Sequence, residues 1–283
     1  MPIKVIVDST SYIPKQLIEK YDITVIPLSV VFEDEVIKET DITNEEFYEK
    51  LNKIPTSSQP TVQEIYNIFE KVIEDGYDIV GVFISSLKSG TYNTACMVKD
   101  MILENYPNAN IELIDSKSTA MQLGYAALCA AKEAKERKTI KEVVEKVNEN
   151  IKRSRFLFIP DTLEYLRKGG RIGTAKALLG SILQLKPILT VKDGKTDVIT
   201  KVRSKKKAVK EMIDIFMEDV KEYGLCEAII HHINCEEEAK QFAQAVENLV
   251  KQPIDICPIG PVVGVHVGPG ALGIVYYTKE ERK

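Results

Sequence analysis

The sequence is poor in the residues from which metal and redox sites are built. Its 283 residues include three histidines and five cysteines. The cysteines (Cys96, Cys129, Cys226, Cys235 and Cys257) are odd in number and never spaced as CxxC. No disulfide framework or zinc-ligand set follows, and the pattern fits a reducing compartment. HxH and HExxH are absent, which leaves a metal hydrolase without ligands. GxxxxGK[ST] is absent, and the GxGxxG spacing Gly268-Pro269-Gly270-Ala271-Leu272-Gly273 runs into a strand-like stretch instead of opening a helix, which argues against nucleotide binding. The stretch Lys168-Gly169-Gly170-Arg171-Ile172-Gly173 shares only its glycine content with a phosphate loop, and it follows a short helix rather than a strand. An excess of basic charge is missing as well: 42 acidic residues face 38 basic ones, for a formal net charge of -4. A dedicated nucleic-acid binder needs the opposite balance. No apolar run reaches the roughly 18 residues of a membrane helix. Met1-Pro2-Ile3-Lys4-Val5 enters a strand-like run with no signal-peptide pattern, so we expect a cytoplasmic protein without stable membrane insertion.

What is present is an alternation of short apolar runs with longer helical ones. Hydrophobic residues make up 44% and charged residues 28%, enough for two modest domains. Residues 3–7, 24–32, 79–84 and 111–114 read as strands. Thr43-Asn44-Glu45-Glu46 and Thr61-Val62-Gln63-Glu64 read as capping boxes that open helices. Residues 97–105 and 119–137 are further helices, and Thr139 opens another. This alternation predicts a mostly parallel sheet layered between helices. In the second half, residues 156–159, 187–191, 197–202, 228–233 and 271–277 read as strands. Residues 163–167, 204–223 and 236–251 read as helices. Asp193-Gly194 is a hairpin-turn signal between neighbouring strands, so this sheet is expected to be mixed. The fold expected is α/β in two domains, 1–158 and 159–283.

Three first-half strands run into hydroxyl-rich loops: Asp8-Ser9-Thr10-Ser11, Ser85-Ser86-Leu87-Lys88-Ser89-Gly90-Thr91 and Asp115-Ser116-Lys117-Ser118-Thr119. In an open parallel sheet these lie at the carboxyl edge, where ligands bind. They read either as helix caps or as donors converging on an anion. Thr56-Ser57-Ser58-Gln59, bounded by Pro55 and Pro60, reads equally as a rigid loop or as pre-organised donors. Arg203-Ser204-Lys205-Lys206-Lys207 is a solvated helix start or a docking site for an acidic partner. His231 and His232 sit in a strand and read as structural. His266, in His266-Val267-Gly268-Pro269-Gly270, lies where small residues permit close backbone approach. Ser89, Asp115 and His266 occur in the order used by α/β-hydrolases, which keeps a serine esterase using Ser89 and His266 as the alternative. Ser89 lacks the GxSxG elbow that would expose it.

Taken in order, Asp8-Ser9-Thr10, Thr56-Ser57-Ser58-Gln59-Pro60, Ser85-Ser86, Ser89-Gly90-Thr91-Tyr92, Asp115-Ser116, Leu163-Glu164-Tyr165-Leu166-Arg167-Lys168-Gly169-Gly170-Arg171-Ile172 and His266-Val267-Gly268-Pro269-Gly270 resemble the DegV family over nearly the whole chain. Its better-known members are the fatty-acid-binding (FakB-type) subunits of bacterial fatty acid kinase. The resemblance implies a long-chain fatty acid enclosed in a tunnel between two α/β domains, held by a protein that does no chemistry itself and needs no cofactor. It implies that Thr56, Ser57, Ser58, Ser89 and Gly90 hold the carboxylate, with His266 close by. It also implies a separate ATP-dependent kinase partner that makes the acyl phosphate for phospholipid synthesis, with Arg171 and Arg203 as candidate docking residues. Thr56-Ser57-Ser58 stands where many members carry two threonines and a serine, which keeps the hydroxyls. Burying about 14 methylenes at roughly 0.8 kcal/mol each supplies on the order of 11 kcal/mol before ordering costs, so the head group has only to be oriented. Residues 121–126 and 177–183 are apolar candidates for the tunnel wall or for ordinary core.

Overall fold

The computed structural model describes residues 1–50, 53–179 and 185–282. They form two compact units, Met1–Asp41 with Ser57–Ile151, and Ile42–Thr56 with Lys152–Lys283. The division read from the sequence, 1–158 and 159–283, differs at both edges of this one. Residues 42–56 group with the second unit, and so does the strand Ser154–Ile159.

The first unit is built on a four-stranded parallel sheet. β1 (Ile3–Asp8) is flanked by β2 (Thr24–Ile26) and β6 (Asp78–Phe83), and β7 (Ile111–Asp115) lies beyond β6. Every residue of β6 is buried, as expected for a central parallel strand covered on both faces. α3 (Val62–Glu74) and α4 (Thr91–Asn105) cover the face carrying Ile6, Ile79 and Phe83, through Ile65, Phe69, Val98 and Ile102. Val5, Val7, Val80 and Val82 are also buried, and strand alternation turns them to the other face. There α5 (Ala120–Lys135) crosses β1 and β6. Residues 121–126, offered above as tunnel wall or ordinary core, are all buried in α5. α1 (Lys15–Tyr21) packs on α5, and α6 (Ile140–Arg153) follows α5.

The run 24–32 is not one strand. It breaks at Pro27 into β2 and β3 (Ser29–Val31), and β3 belongs to a separate three-stranded sheet with β4 (Val36–Lys38) and β5 (Thr56–Ser58). Proline has no N–H to give a ladder, which ends the pairing of β2 with β1. α4 starts at Thr91 rather than at residue 97, because its first turns pack small and hydroxyl residues, Thr91, Thr94 and Ala95, into the core in place of large apolar ones. Both expected capping boxes are formed: Thr43 opens α2 (Asn44–Glu49) and Thr61 opens α3.

The second unit holds a six-stranded mixed sheet in the order β10-β9-β8-β13-β11-β12. The strands are β8 (Ser154–Ile159), β9 (Lys186–Lys192), β10 (Lys195–Val202), β11 (Leu225–His232), β12 (Asp255–Pro258) and β13 (Leu272–Thr278). All pairs are antiparallel except β11 with β12. The β9–β10 turn has positive φ at both Asp193 (48°) and Gly194 (82°), the signature of the tight hairpin that the Asp-Gly pair predicted. α8 (Lys205–Tyr223) and α9 (Glu236–Val250) bury Met212, Phe216, Phe242 and Val246 against the sheet. α7 (Glu164–Lys168) and α10 (Pro261–Val267) pack on each other. A 3-10 segment spans Gly173–Leu178; residues 180–183 of the apolar run proposed above lie outside the described residues. Among the described residues no helix is long and apolar enough to cross a membrane.

Candidate functional site

In the first unit the carboxyl ends of β1, β6 and β7 share a hydrogen-bond network. Asp8 is fully buried and accepts from the Thr10 hydroxyl at 2.6 Å, from Thr10 N–H at 3.0 Å and from Ile84 N–H at 2.6 Å. Burial dominates the balance and pushes its pKa up to about 6, against the three donors that pull it down. The Ser9 hydroxyl accepts from Leu28 N–H at 3.1 Å. Ser85 N–H donates to the Ser118 carbonyl at 2.8 Å, which joins the β6 loop to the β7 loop. Asp115 accepts from the Ser86 hydroxyl at 2.6 Å and from Lys117 N–H at 2.8 Å. Most of these hydroxyls therefore build the edge itself.

Ser89 and the start of α4 are arranged differently. Ser89 is half-buried and shares a 2.9 Å hydrogen bond with the Thr91 hydroxyl. Gly90, at the N-terminal boundary of α4, has no side chain to cap it; the Ser89 hydroxyl accepts from Thr91 N–H at 3.4 Å, and the first turn holds no acidic residue. Such a helix start suits an oxyanion. The Thr56–Ser58 stretch is a short strand and not a loop. Its alternation sends Ser57 to one face and Thr56 and Ser58 to the other; Ser57 and Ser58 are half-buried, and Thr56 is exposed. Gln59, which follows, donates from Nε2 to the Thr94 hydroxyl at 2.7 Å. A Cβ on Gly90 would stand 1.9 Å from Gln59 Oε1. The amide thus spans the gap between strand β5 and helix α4 only because residue 90 has no side chain. Gly90 has helical backbone angles, so Gly90→Ala meets a clash without backbone strain. We expect it to cost about 1 kcal/mol, the net value of the Gln59–Thr94 bond it displaces. In a Gln59→Ala background the same substitution should cost almost nothing, and an equal loss of thermal stability in both backgrounds would rule out this contact as the source.

In the second unit three rings meet three glycines around α10. His266 is half-buried, and a Cβ on Gly169 would stand 2.2 Å from its Nδ1. A Cβ on Gly268 would stand 2.4 Å from the Tyr165 ring. A Cβ on Gly264, in the middle of α10, would stand 2.9 Å from the Tyr48 hydroxyl. α2 is tied to the segment leading into α10 by Asn44 Nδ2, which donates to the Ile259 carbonyl at 3.1 Å. The glycines of the Lys168-Gly169-Gly170 and His266-Val267-Gly268 motifs thus bring α7 and α10 into ring contact. Arg171 donates to the Gly169 carbonyl at 2.6 Å, and both Arg171 and Arg203 are exposed. His231 is buried, bonded to the Cys257 carbonyl at 2.8 Å, and pushed down to about 4 by burial. It packs edge-on against Phe156 as part of the sheet.

Two of the three hydrolase candidates are bonded to other partners. Ser89 is bonded to Thr91, and the Asp115 carboxylate is taken by Ser86 and Lys117. Among the described residues no group of three or more His, Cys, Asp or Glu is placed to hold a metal ion. Sequence reasoning named Asp8, Gln59 and Tyr165 only as members of motifs, without a role, and did not name Thr94 or Tyr48. The signal for Gln59 was its place beside Ser58 in the same proline-bounded stretch. Tyr48 lies in the polar helix Asn44–Glu49 and carried no signal.

Residues 2–279 match a protein family described as uncharacterised proteins of DegV type. A DegV domain-containing protein of Clostridium acetobutylicum is 50% identical over 285 residues, covering 100% of both chains. The crystal structure of DegV of Bacillus subtilis, a fatty acid binding protein, superposes with a TM-score of 0.88 at 33% identity, over 99% of this chain and 100% of that one. A stearic-acid-binding protein of Eubacterium ventriosum superposes with a TM-score of 0.89 at 27% identity, over 98% of each chain.

Proposed function

Because this chain belongs to the DegV family, we propose that it binds a long-chain fatty acid and presents the carboxylate to a separate ATP-dependent fatty acid kinase. The observation that carries the binding half is near-complete superposition on relatives described as fatty-acid-binding, one of them with stearic acid. The start of α4, without an acidic residue and beside the Ser89 hydroxyl, supports it, since carboxylate oxygens need donors and no buried arginine is required when hydroxyl and backbone N–H groups are supplied. In this reading Ser57, Ser58, Ser89, Gly90 and His266 serve the head group and Thr56 stands at its margin. The protein acts in the cytoplasm and performs no bond-making step, and the exposed Arg171 and Arg203 belong to the face the kinase meets. The kinase half rests on the motif resemblance together with a carboxylate held by neutral donors, which remains ready for phosphorylation.

Denaturing extraction of the purified protein, followed by mass spectrometry, should release a long-chain fatty acid in near-stoichiometric amount. Protein that yields none and takes up no added stearate would sink the proposal. Ser89→Ala is expected to weaken stearate binding by roughly tenfold, the worth of one hydrogen bond to a charged acceptor. Unchanged affinity would remove Ser89 from the head-group set.

A further inference from the structure

Ser57 and Ser58 stand on β5, and Ser89 and Gly90 at the start of α4. β5 belongs to the small sheet with β3 and β4, whereas α4 covers the four-stranded parallel sheet, so no backbone ladder ties the two segments. Gln59 ties them. Its Nε2 donates to the Thr94 hydroxyl, in the first turn of α4, at 2.7 Å. Its Oε1 rests on Gly90, where a Cβ would stand 1.9 Å away. Thr94 is buried and its N–H is bonded to the Gly90 carbonyl at 2.9 Å, so the anchor of the amide is fixed to the core. The bridge is also uncharged. Two residues after Gln59, α3 is opened by Thr61 with the acid Glu64 in a capping box, but the first turn of α4 has no acidic residue. Gln59→Glu would keep the reach and accept from the same Thr94 hydroxyl, and a negative charge at a helix start stabilises the helix. The amide forgoes that stabilisation, which leaves the positive end of α4 to an anion from outside the chain.

We propose that Gln59 is a positioning residue of the head-group site: its amide holds the Ser57–Ser58 strand in register with the Ser89–Gly90 helix start, and its neutrality keeps that start for the fatty-acid carboxylate. This rests on the fatty-acid reading above. All of these residues lie in the first unit. Without the bridge, ligand binding must itself bring the two segments together, and affinity falls by up to the worth of the lost bond.

The test uses delipidated full-length protein with stearate and methyl stearate as probes, beside the wild type and Ser89→Ala. Gln59→Ala and Thr94→Val should each weaken stearate binding by about fivefold, and the double variant no further, since both remove one bridge. Gln59→Glu is the sharper variant. Its lipid-free melting temperature should equal or exceed that of the wild type, because the charge suits the helix start. Its stearate affinity should nonetheless fall by about tenfold, while affinity for the uncharged methyl stearate changes by less than about threefold. Raising the salt concentration should shrink the stearate deficit. If Gln59→Ala binds stearate like the wild type while Ser89→Ala is weakened, the positioning role is wrong. Additive losses in the double variant would show that the two side chains act apart, and equal losses for the two probes in Gln59→Glu would mark a packing effect; either result overturns the assignment. Should wild-type protein bind neither probe, the fatty-acid reading itself fails and this assignment falls with it.

Discussion

Asp219→Ala is expected to lower the unfolding free energy of the second unit by about 3–5 kcal/mol. Asp219, on α8, gathers three donors from distant parts of the chain onto one oxygen. Tyr276 from β13 donates at 2.5 Å, Arg155 from β8 at 2.9 Å and Arg282 from the C-terminal end at 3.0 Å. The side chains are largely out of water: 14% exposed for Asp219, 19% for Arg155 and 20% for Arg282. Replacing such a network with apolar residues can be neutral, but removing only the acid leaves two poorly solvated cations and a buried phenol without their shared acceptor. Tyr276 is fully buried edge-on to Phe216, so it cannot turn out to solvent without opening the core. In urea the transition of the second unit should move to a lower midpoint with its slope preserved. In a Tyr276→Phe background the loss should shrink by at least about 1 kcal/mol, because one of the stranded groups is gone. A loss below about 1 kcal/mol in the single variant would show that the network carries little of this unit's stability.

Stability of the first unit should fall as pH rises from about 4 to about 6, and Asp8→Asn should abolish that part of the slope. Asp8 titrates near 3.8 when exposed and at about 6 in the fold, chiefly because burial penalises its charge. A folded-state pKa above the unfolded one means that the native protein holds the proton more tightly across this window. The contribution is therefore fully present below pH 4 and is lost as pH rises through 6. A shift of about two units corresponds to roughly 3 kcal/mol. The measurement is the difference in unfolding free energy between wild type and Asp8→Asn at several pH values, in which titrations common to both chains cancel. A flat difference between pH 4 and 6.5 would mean that the three donors hold Asp8 near its ordinary pKa. The same carboxylate anchors Ile84 N–H, where β6 turns into the loop that carries Ser89.

Much of the fold was legible because its determinants are local. The capping boxes at Thr43 and Thr61 are satisfied within four residues. The Asp193-Gly194 turn needs only two backbone angles, and the apolar run of β6 needs only to be buried on both faces. Where local and tertiary demands parted, the reading slipped. The run 24–32 was apolar enough for one strand, yet Pro27 divides it between two sheets. Helix α4 hid its first two turns because they pack on the core with Thr91, Thr94 and Ala95.

For the site the division is sharper. The sequence by itself determined which hydroxyl-rich loops sit at the carboxyl edge and which glycine motifs recur, since strand positions and their alternation with helices follow from hydrophobic pattern. It also determined the family, since seven short motifs occur in one order. Only the tertiary structure decided what those groups do to one another. It spent the hydroxyls of Ser9, Ser85 and Ser86 on holding loops together, and it set Ser89 at the start of α4. It split Thr56, Ser57 and Ser58 across the two faces of a strand. It laid Gln59 over Gly90 and brought Tyr48 from residues 42–56 against Gly264 of α10. The physical reason is the range of the interactions: caps, turns and periodicity act over four or fewer residues, whereas the contacts of a ring or an amide with a glycine far along the chain exist only once packing has brought both there.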